Sequence, residues 1–157
     1  MKRLYGWAAK AERLVDAVPG GHWQTTTMLS ALRSDTVATA MVTDGPVDGL
    51  VFLGFVQHFL VPVLKPGDIV VMDNLSSHKV KGVREAIEAV GAEVWYLPPY
   101  SPDLNPIEQM WSKVKSVLRR LARRTTEALY RAIGKALRHV TPEECGNYFT
   151  NCGYDAT

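Results

Sequence analysis

The chain has 157 residues, of which 46% are hydrophobic and 22% are charged, and its formal net charge is +2. This is the size and composition of one globular domain with a core of its own. No apolar run reaches the roughly 18 to 20 residues that a membrane span needs, which excludes membrane-embedded functions. No signal peptide is visible, and Cys145 and Cys152 lack the spacing of a zinc site, so we expect a cytoplasmic protein.

The first third of the chain predicts a β meander. Strand-like patterns occur at Glu12–Val18, Trp23–Leu32 and Thr36–Val42, and Arg33-Ser34-Asp35 supplies a hairpin turn. The segment that follows, 47–64, is apolar on nearly every side, which predicts a helix that is buried between layers or pairs with another chain. Plain core is the more common of these two outcomes. Asp48 is its expected N-cap, and Pro62 and Pro66-Gly67 are expected to bring it to its end.

Asp68–Met72 is a short run rich in β-branched residues, so it predicts a buried strand with Asp73 and Asn74 at its end. Ligands and chemistry collect at the carboxyl ends of strands in open α/β sheets. Val80–Val90 has the stripe of a helix, closed by a glycine, and Glu93–Leu97 predicts a second strand. The pattern therefore predicts a β-α-β unit with an acid at the end of its first strand.

A long helix is expected to begin behind Asn105, a good N-cap, with Pro106 in its first position and Glu108 in its third. The helix dipole favours an ionised carboxylate there. Asp73 and Glu108, with 34 residues between them, would then face one crevice and suit a divalent cation. Each has an ordinary structural alternative, because Asp-Asn after a strand often forms only a turn and a glutamate at this helix position often forms only a capping box.

The helix after Glu108 carries apolar residues at helical spacing and cations on its other side and end, with no acid between Gln109 and Thr126. Such a cluster of positive charges is typical of helices that bind the phosphate backbone of a nucleic acid. The alternative is a helix face that is simply exposed to solvent. Two more helices are expected, one from Thr125 or Thr126 to Leu137 and a short one capped by Thr141. The candidate DNA-binding residues are Lys113, Lys115, Arg119, Arg120, Arg123 and Arg124.

Two long motifs, VVMDNLSSH and LPPYSPDLNPIEQMWSKVK, resemble the endonuclease domain of DDE transposases of the mariner-like superfamily of bacterial insertion sequences. RLYGWAAKAERLVDAV and VTDGPVDG also resemble that family, so the similarity covers nearly all of the chain. The resemblance implies an α/β, ribonuclease H-like mixed sheet with flanking helices, and the cutting and joining of DNA strands with Mg²⁺ or Mn²⁺ at a two-metal site. By the resemblance, Asp73 is the second catalytic and metal-binding acid and Glu108 the third.

The two polar residues behind the strand, Asn74 and His78, are candidate auxiliary residues. His78 lies where it could touch a phosphate or the attacking water, and capping of the next helix is the structural alternative. The expected partners are DNA, as element ends and target in the bacterial nucleoid, and an upstream transposase fragment or a second copy of the chain.

The family's first catalytic aspartate lies on the central strand, just upstream of the segment that RLYGWAAKAER resembles. We therefore expect that strand, its aspartate and the N-terminal helix-turn-helix domain to be missing from this single truncated domain, residues 1–157. This would open two strand edges, leave a weak or single metal site and make the chain inactive alone. Three alternatives remain: a transposase fragment that an upstream product completes, an inactive remnant that binds DNA or a full-length transposase, and an unrelated α/β metal- or nucleotide-binding protein. The last is least favoured, because the sequence has no glycine-rich phosphate loop.

Overall fold

The computed structural model describes Lys10 and residues 25–121 and 125–154. The predicted strand Glu12–Val18 therefore lies outside the described residues. The described part opens with an antiparallel hairpin of β1, Thr26–Leu32, and β2, Val37–Asp44. The hairpin turn predicted at residues 33–35 is confirmed, and Arg33 N–H closes it by donating to the carbonyl of Thr36.

A continuous helical segment follows the hairpin. It begins as α1, Gly49–Phe55, continues as one π-helical turn, Val56–Leu60, and ends as a 3-10 turn, Val61–Val63. The predicted N-cap is confirmed, because the Asp48 carboxylate accepts from the N–H groups of the second and third helix residues at 3.0 and 2.9 Å. The first of the two predicted outcomes, a helix buried on all sides within the core, is wrong, since Leu50 is 75% and Phe59 39% exposed. Pairing with another chain stays a prediction.

The predicted β-α-β unit is present. β3, Ile69–Met72, pairs in parallel with β4, Glu93–Tyr96. The helix between them, α2, is Val83–Glu88 and begins three residues later than predicted, because a 3-10 turn, Ser76–Lys79, and a left-handed Gly82 precede it. Gly91 lies between α2 and β4 and has a φ of +79°, a conformation that glycine adopts without strain.

Three helices complete the described chain: α3, Pro106–Leu121, α4, Thr126–Arg138, and α5, Pro142–Asn151. Thr141 is the N-cap of α5, as predicted, and Thr125 is the N-cap of α4, whose start was predicted at Thr125 or Thr126. The apolar stripe predicted on α3 is buried against α4, with a common core of Met110, Val114, Leu118, Ala132, Ile133 and Ala136.

The predicted α/β class is confirmed, and the described strands form two separate sheets, β1–β2 and β3–β4. A two-pronged contact of Arg33 with Asp68, at 3.0 and 2.5 Å, joins the last part of β1 to the first part of β3. Because the end of one strand meets the beginning of the other, β1 and β3 run in opposite directions. Of the helices in the described ranges, none is long and apolar enough to cross a membrane.

Candidate active-site cleft

A cleft of about 390 Å³ lies between the two sheets. Its sides are residues 28–33 of β1 and its turn and residues 68–73 of β3 and its flanks, while Phe52 and Phe55 contribute from α1. Residues 105–108, at the beginning of α3, border it as well. The end of β3 and the first turn of α3 thus bring Asp73 and Glu108 to one cleft, as the sequence predicted.

Asp73 uses one carboxylate oxygen locally and leaves the other open. Its Oδ1 accepts from the backbone N–H of Leu75 at 3.2 Å, so the predicted turn does form. The same Oδ1 lies 2.6 Å from Nδ1 of His78, although the contact lacks the geometry of a hydrogen bond. Oδ2 has no partner among the described residues, and the side chain is 41% exposed. One oxygen of Asp73 is therefore free to bind a cation.

Both the ring and the backbone of His78 are held by contacts with other elements. Its ring stacks on Phe52 with 4.1 Å between the ring centroids, and its backbone carbonyl accepts from the Tyr96 hydroxyl at 3.1 Å. It does not cap the next helix, because Gly82 is the N-cap of α2. The sequence carried no signal for the contact with Phe52, which has the pattern of an ordinary core residue.

Asn74, next to the acid, has a buried Oδ1 without a hydrogen-bond partner among the described residues. Leaving a buried amide oxygen unsatisfied costs free energy. Such an atom beside a carboxylate is consistent with a polar or cationic partner at this end of the cleft.

Glu108 differs from the other glutamates that occupy the third position of a helix. In α2 the Glu85 carboxylate accepts from the N–H of Gly82, and in α5 the Glu144 carboxylate accepts from the N–H of Thr141, so both close capping boxes. At α3 the N–H of Asn105 donates instead to the carbonyl of Pro102. The Glu108 side chain is exposed and has no partner in the part of the chain that the structure describes. The capping-box alternative for Glu108 is therefore wrong.

The two carboxylates that border the cleft are of the donor type that a hydrated divalent cation takes. Mg²⁺ takes one or two carboxylates and fills its other positions with water and phosphate oxygens, which matches two partly free carboxylates on one cleft. Across residues 25–121 and 125–154, no three acidic, histidine or cysteine side chains come together as a ready ligand group. The described residues by themselves therefore do not form a ready site for a pair of ions.

The predicted DNA-binding cations fall into three groups. Lys113 donates to Glu144 at 2.5 Å and to the carbonyl of His139 at 2.7 Å, so it ties α3 to α5 instead of reaching outward. Lys115, Arg119 and Arg120 are exposed on α3. The last two predicted cations, residues 123 and 124, lie outside the described residues. The ion pair of Lys113 joins residues 31 positions apart, so no local pattern could have indicated it.

Comparisons with known proteins bear on the family and the fold, and they confirm the predicted ribonuclease H-like fold. The family described as DDE superfamily endonuclease matches residues 1–129. The solved Mos1 transposase paired-end complex with left transposon end has a TM-score of 0.77 at 18% identity, and covers 96% of this chain and 47% of that chain. The Mos1 mariner paired-end complex with Mn has a TM-score of 0.79 at 18% identity, with coverages of 96% and 48%.

The chain thus spans about half the length of these two solved proteins. The Mos1 transposase catalytic domain, solved with Raltegravir and Mg, has a TM-score of 0.67 at 18% identity and covers 82% of this chain and 70% of that chain. At this identity the likeness establishes the fold. A comparison with curated proteins found no match.

Proposed function

The chain belongs to the DDE superfamily endonuclease family, and we propose that it forms the endonuclease domain of a transposase, which cleaves and joins DNA strands with Mg²⁺ or Mn²⁺. The observation that carries the proposal is the placement of Asp73 and Glu108. They come from a strand end and a helix start and border one cleft. Local hydrogen bonds occupy only one oxygen of Asp73, and Glu108 does not close a capping box.

In this proposal Asp73 and Glu108 hold a divalent cation through their free carboxylate oxygens. The bound cation would supply charge stabilisation for a phosphodiester and a more acidic water or 3′-hydroxyl. His78 restrains the position of Asp73 from the side, and Phe52 holds the imidazole by stacking. The remaining open side of the cleft is where the scissile phosphate would approach.

The proposed partner is DNA, both element ends and target, in the bacterial nucleoid. Two of the similar solved structures are described as paired-end complexes, one of them with a left transposon end. In this chain the exposed Lys115, Arg119 and Arg120 on α3, the helix that also carries Glu108, offer positive charge to a phosphate backbone.

The proposed reaction requires one more carboxylate than the described residues provide. Two ions about 3.5 to 4 Å apart need a bridging acid, and Asp73 and Glu108 alone suit one ion. We propose that a segment outside the described residues, an upstream transposase fragment or a second copy supplies it. Without that acid the chain binds its cation weakly and does not cleave.

Complementation tests this function. The chain is mixed with Mn²⁺, duplex DNA carrying element ends, and a polypeptide that contains an acid-ended strand. Cleavage that appears only with the added polypeptide, and is lost in both Asp73→Ala and Glu108→Ala, supports the proposal. Cleavage that persists in either variant contradicts the assigned roles, and absence of cleavage under every complementation removes the nuclease function.

A second function, that of an inactive DNA-binding remnant that restrains a full-length transposase, is favoured by one observation: the described residues hold no third acid near Asp73 and Glu108. Its signature is salt-dependent DNA binding that survives loss of both acids. Binding should fall when Arg119 and Arg120 are neutralised.

A further inference from the structure

The positive charge of the chain is concentrated in the segment that contains α3 and α4. Residues 109–142 hold nine of the 18 lysines and arginines but only one of the 16 acids, Glu127. The rest of the chain therefore holds nine cations against 15 acids, so the segment is strongly positive and the remainder is negative. A cluster of one sign of charge on one part of a protein is the electrostatic footprint of nucleic-acid binding.

The helix α4 carries three of these cations on one side, and we call them the α4 stripe: Arg131, Lys135 and Arg138. Their spacings of four and three residues place them on one face of the helix. All three are exposed. The residues that α4 buries in the core it shares with α3 occupy other positions of the helix: Ala132, Ile133 and Ala136. Of the described residues of α4, none borders the cleft, so the stripe is a surface separate from the candidate active site.

The cations of the α4 stripe are not neutralised by carboxylates in the described part of the chain. Glu127 precedes Arg131 by four residues, the spacing at which Arg84 pairs with Glu88 on α2 at 3.0 Å. Across residues 25–121 and 125–154, however, the ion pairs include neither Glu127 nor any cation of the stripe. The three positive charges are therefore available to an external partner.

The length of the stripe suits the backbone of a nucleic acid. Its first and last residues are separated by about 10 Å, because an α-helix rises 1.5 Å per residue. One strand of duplex DNA carries a charge about every 3.4 Å along its axis, so the stripe spans about three phosphates. Stabilisation of the helix dipole is an ordinary reason for cations in the last turn, where Lys135 and Arg138 lie. It does not account for Arg131, which lies before that turn.

We propose that the α4 stripe is a second DNA-binding surface, which holds the phosphate backbone of duplex DNA outside the cleft and does not depend on the base sequence. The inference rests on the proposed function, because that function makes DNA the partner. It extends the function to residues beyond 129, where the match to the family ends, and to a helix other than the one that carries Glu108. The stripe holds the duplex while the cleft acts on a single phosphate.

The salt dependence of DNA binding tests the proposal. Affinity for a short labelled duplex is measured by fluorescence anisotropy at several salt concentrations, with all divalent cations removed by EDTA. The double variant Arg131→Gln, Lys135→Gln should reduce the slope of log affinity against log salt by about 2, since each phosphate contact contributes about 0.9. The reduction should be the same for an element-end duplex and for an unrelated one. The charge-preserving Arg131→Lys should keep the wild-type slope.

The matched control is Lys10→Gln, Lys65→Gln, which removes the same charge from exposed positions far along the chain from α4. It should leave the slope unchanged. An equal loss in the control would show that only net charge matters, and would overturn the proposal. An unchanged slope in the α4 variant would overturn it as well, and so would a loss confined to the element-end duplex.

A measurement on the wild-type chain decides the matter even where the α4 variant does not fold. Acetylation of Lys135 and Lys65 by an amine-reactive reagent is followed by mass spectrometry with and without DNA. We expect DNA to suppress acetylation at Lys135 and to leave Lys65 unchanged. Equal labelling of Lys135 with and without DNA would contradict the proposal.

Failure of this inference is distinguishable from failure of the endonuclease function. The slopes are measured without metal and again in the chain that carries Asp73→Ala and Glu108→Ala, where the stripe should act as in the wild type. Cleavage on complementation together with an unchanged slope in the α4 variant would overturn the stripe alone. The expected loss of slope without cleavage under any complementation would support the stripe and remove the nuclease.

Discussion

Oδ1 of Asp73 lies 2.6 Å from Nδ1 of His78, and the imidazole is itself stacked on Phe52. The acid at the end of β3 thus lies in close contact with a ring that the core holds in place. We propose that this contact orients the carboxylate before a cation binds.

Replacing His78→Phe keeps a ring on Phe52 but removes the nitrogen that faces Asp73. Because the carboxylate is then less restrained, we expect affinity for Mn²⁺ to fall about 10-fold or more, by analogy with other groups that orient metal ligands. The melting temperature should change little. His58→Phe, at an exposed position on the π-helical turn, is the matched control. Unchanged Mn²⁺ affinity in His78→Phe would show that the contact has no positioning role.

The ion pair between Arg33 and Asp68, which both border the cleft, predicts that the stability of the fold falls in acid. The hydrogen bond from Arg33 holds the pKa of Asp68 below its ordinary value of 3.8, and the carboxyl side chain is only 20% exposed. A lowered folded-state pKa stabilises the fold fully above the ordinary value and loses this effect as pH falls through the lowered pKa. Asp68→Asn should therefore lower the free energy of unfolding by about 1.5 to 3 kcal/mol at pH 7.

The difference from the wild type should shrink below pH 3.8, as measured by urea unfolding across the pH range. Asp35→Asn, in the exposed hairpin turn, should cost far less at every pH. A deficit of Asp68→Asn that stays constant from pH 7 into the acid range would contradict the charge-based explanation.

The paired Lys113 and the exposed Lys115 and Arg119 of α3 should affect different properties, stability in the first case and DNA affinity in the second. Lys113→Gln removes the tie between α3 and α5 and should lower stability with little effect on DNA affinity. The double change Lys115→Gln and Arg119→Gln should leave stability unchanged. It should lower the slope of log affinity against log salt by about 2, since each phosphate contact contributes about 0.9. DNA binding that depends on Lys113 and not on the exposed pair would contradict this assignment.

Gly49 allows α1 to pack closely against the segment that carries His78. A Cβ on Gly49 would lie 2.2 Å from Cγ2 of Val80, so Gly49→Ala should destabilise the fold by about 1 to 3 kcal/mol through overpacking. Gly54→Ala, in the same helix with open space around it, should instead stabilise by about 0.5 to 1 kcal/mol. Because Val80 itself packs on the core, the comparison is made in a Val80→Ala background, where Gly49→Ala should cost much less than in the wild type. An equal cost in both backgrounds would disprove the clash.

The sequence predicted what local chemistry determines. The caps at Asp48 and Thr141 follow from side chains that bond within three residues, and the helix start at Pro106 follows from the preference of proline for the first helical position. The acid at the end of β3 was predicted for the same reason, because a short β-branched run and its flanking turn are local signals.

What the sequence did not predict depends on contacts between distant segments. The pairing of Lys113 with Glu144 and the stacking of His78 on Phe52 join elements that only the folded chain brings together. The exposure of Leu50 depends likewise on which side of α1 meets the rest of the core, and a helix that is apolar all round carries no pattern that decides this.

The most direct test of the account is whether Asp73 and Glu108 bind the same ion. Backbone amide signals of both residues are followed by NMR during addition of substoichiometric Mn²⁺, which broadens nuclei near the bound ion even when binding is weak. We predict that both signals broaden together in the wild type, and that Asp73→Asn or Glu108→Gln abolishes broadening at both positions while Asp103→Asn does not. Broadening at either residue that survives replacement of the other would contradict a shared cation.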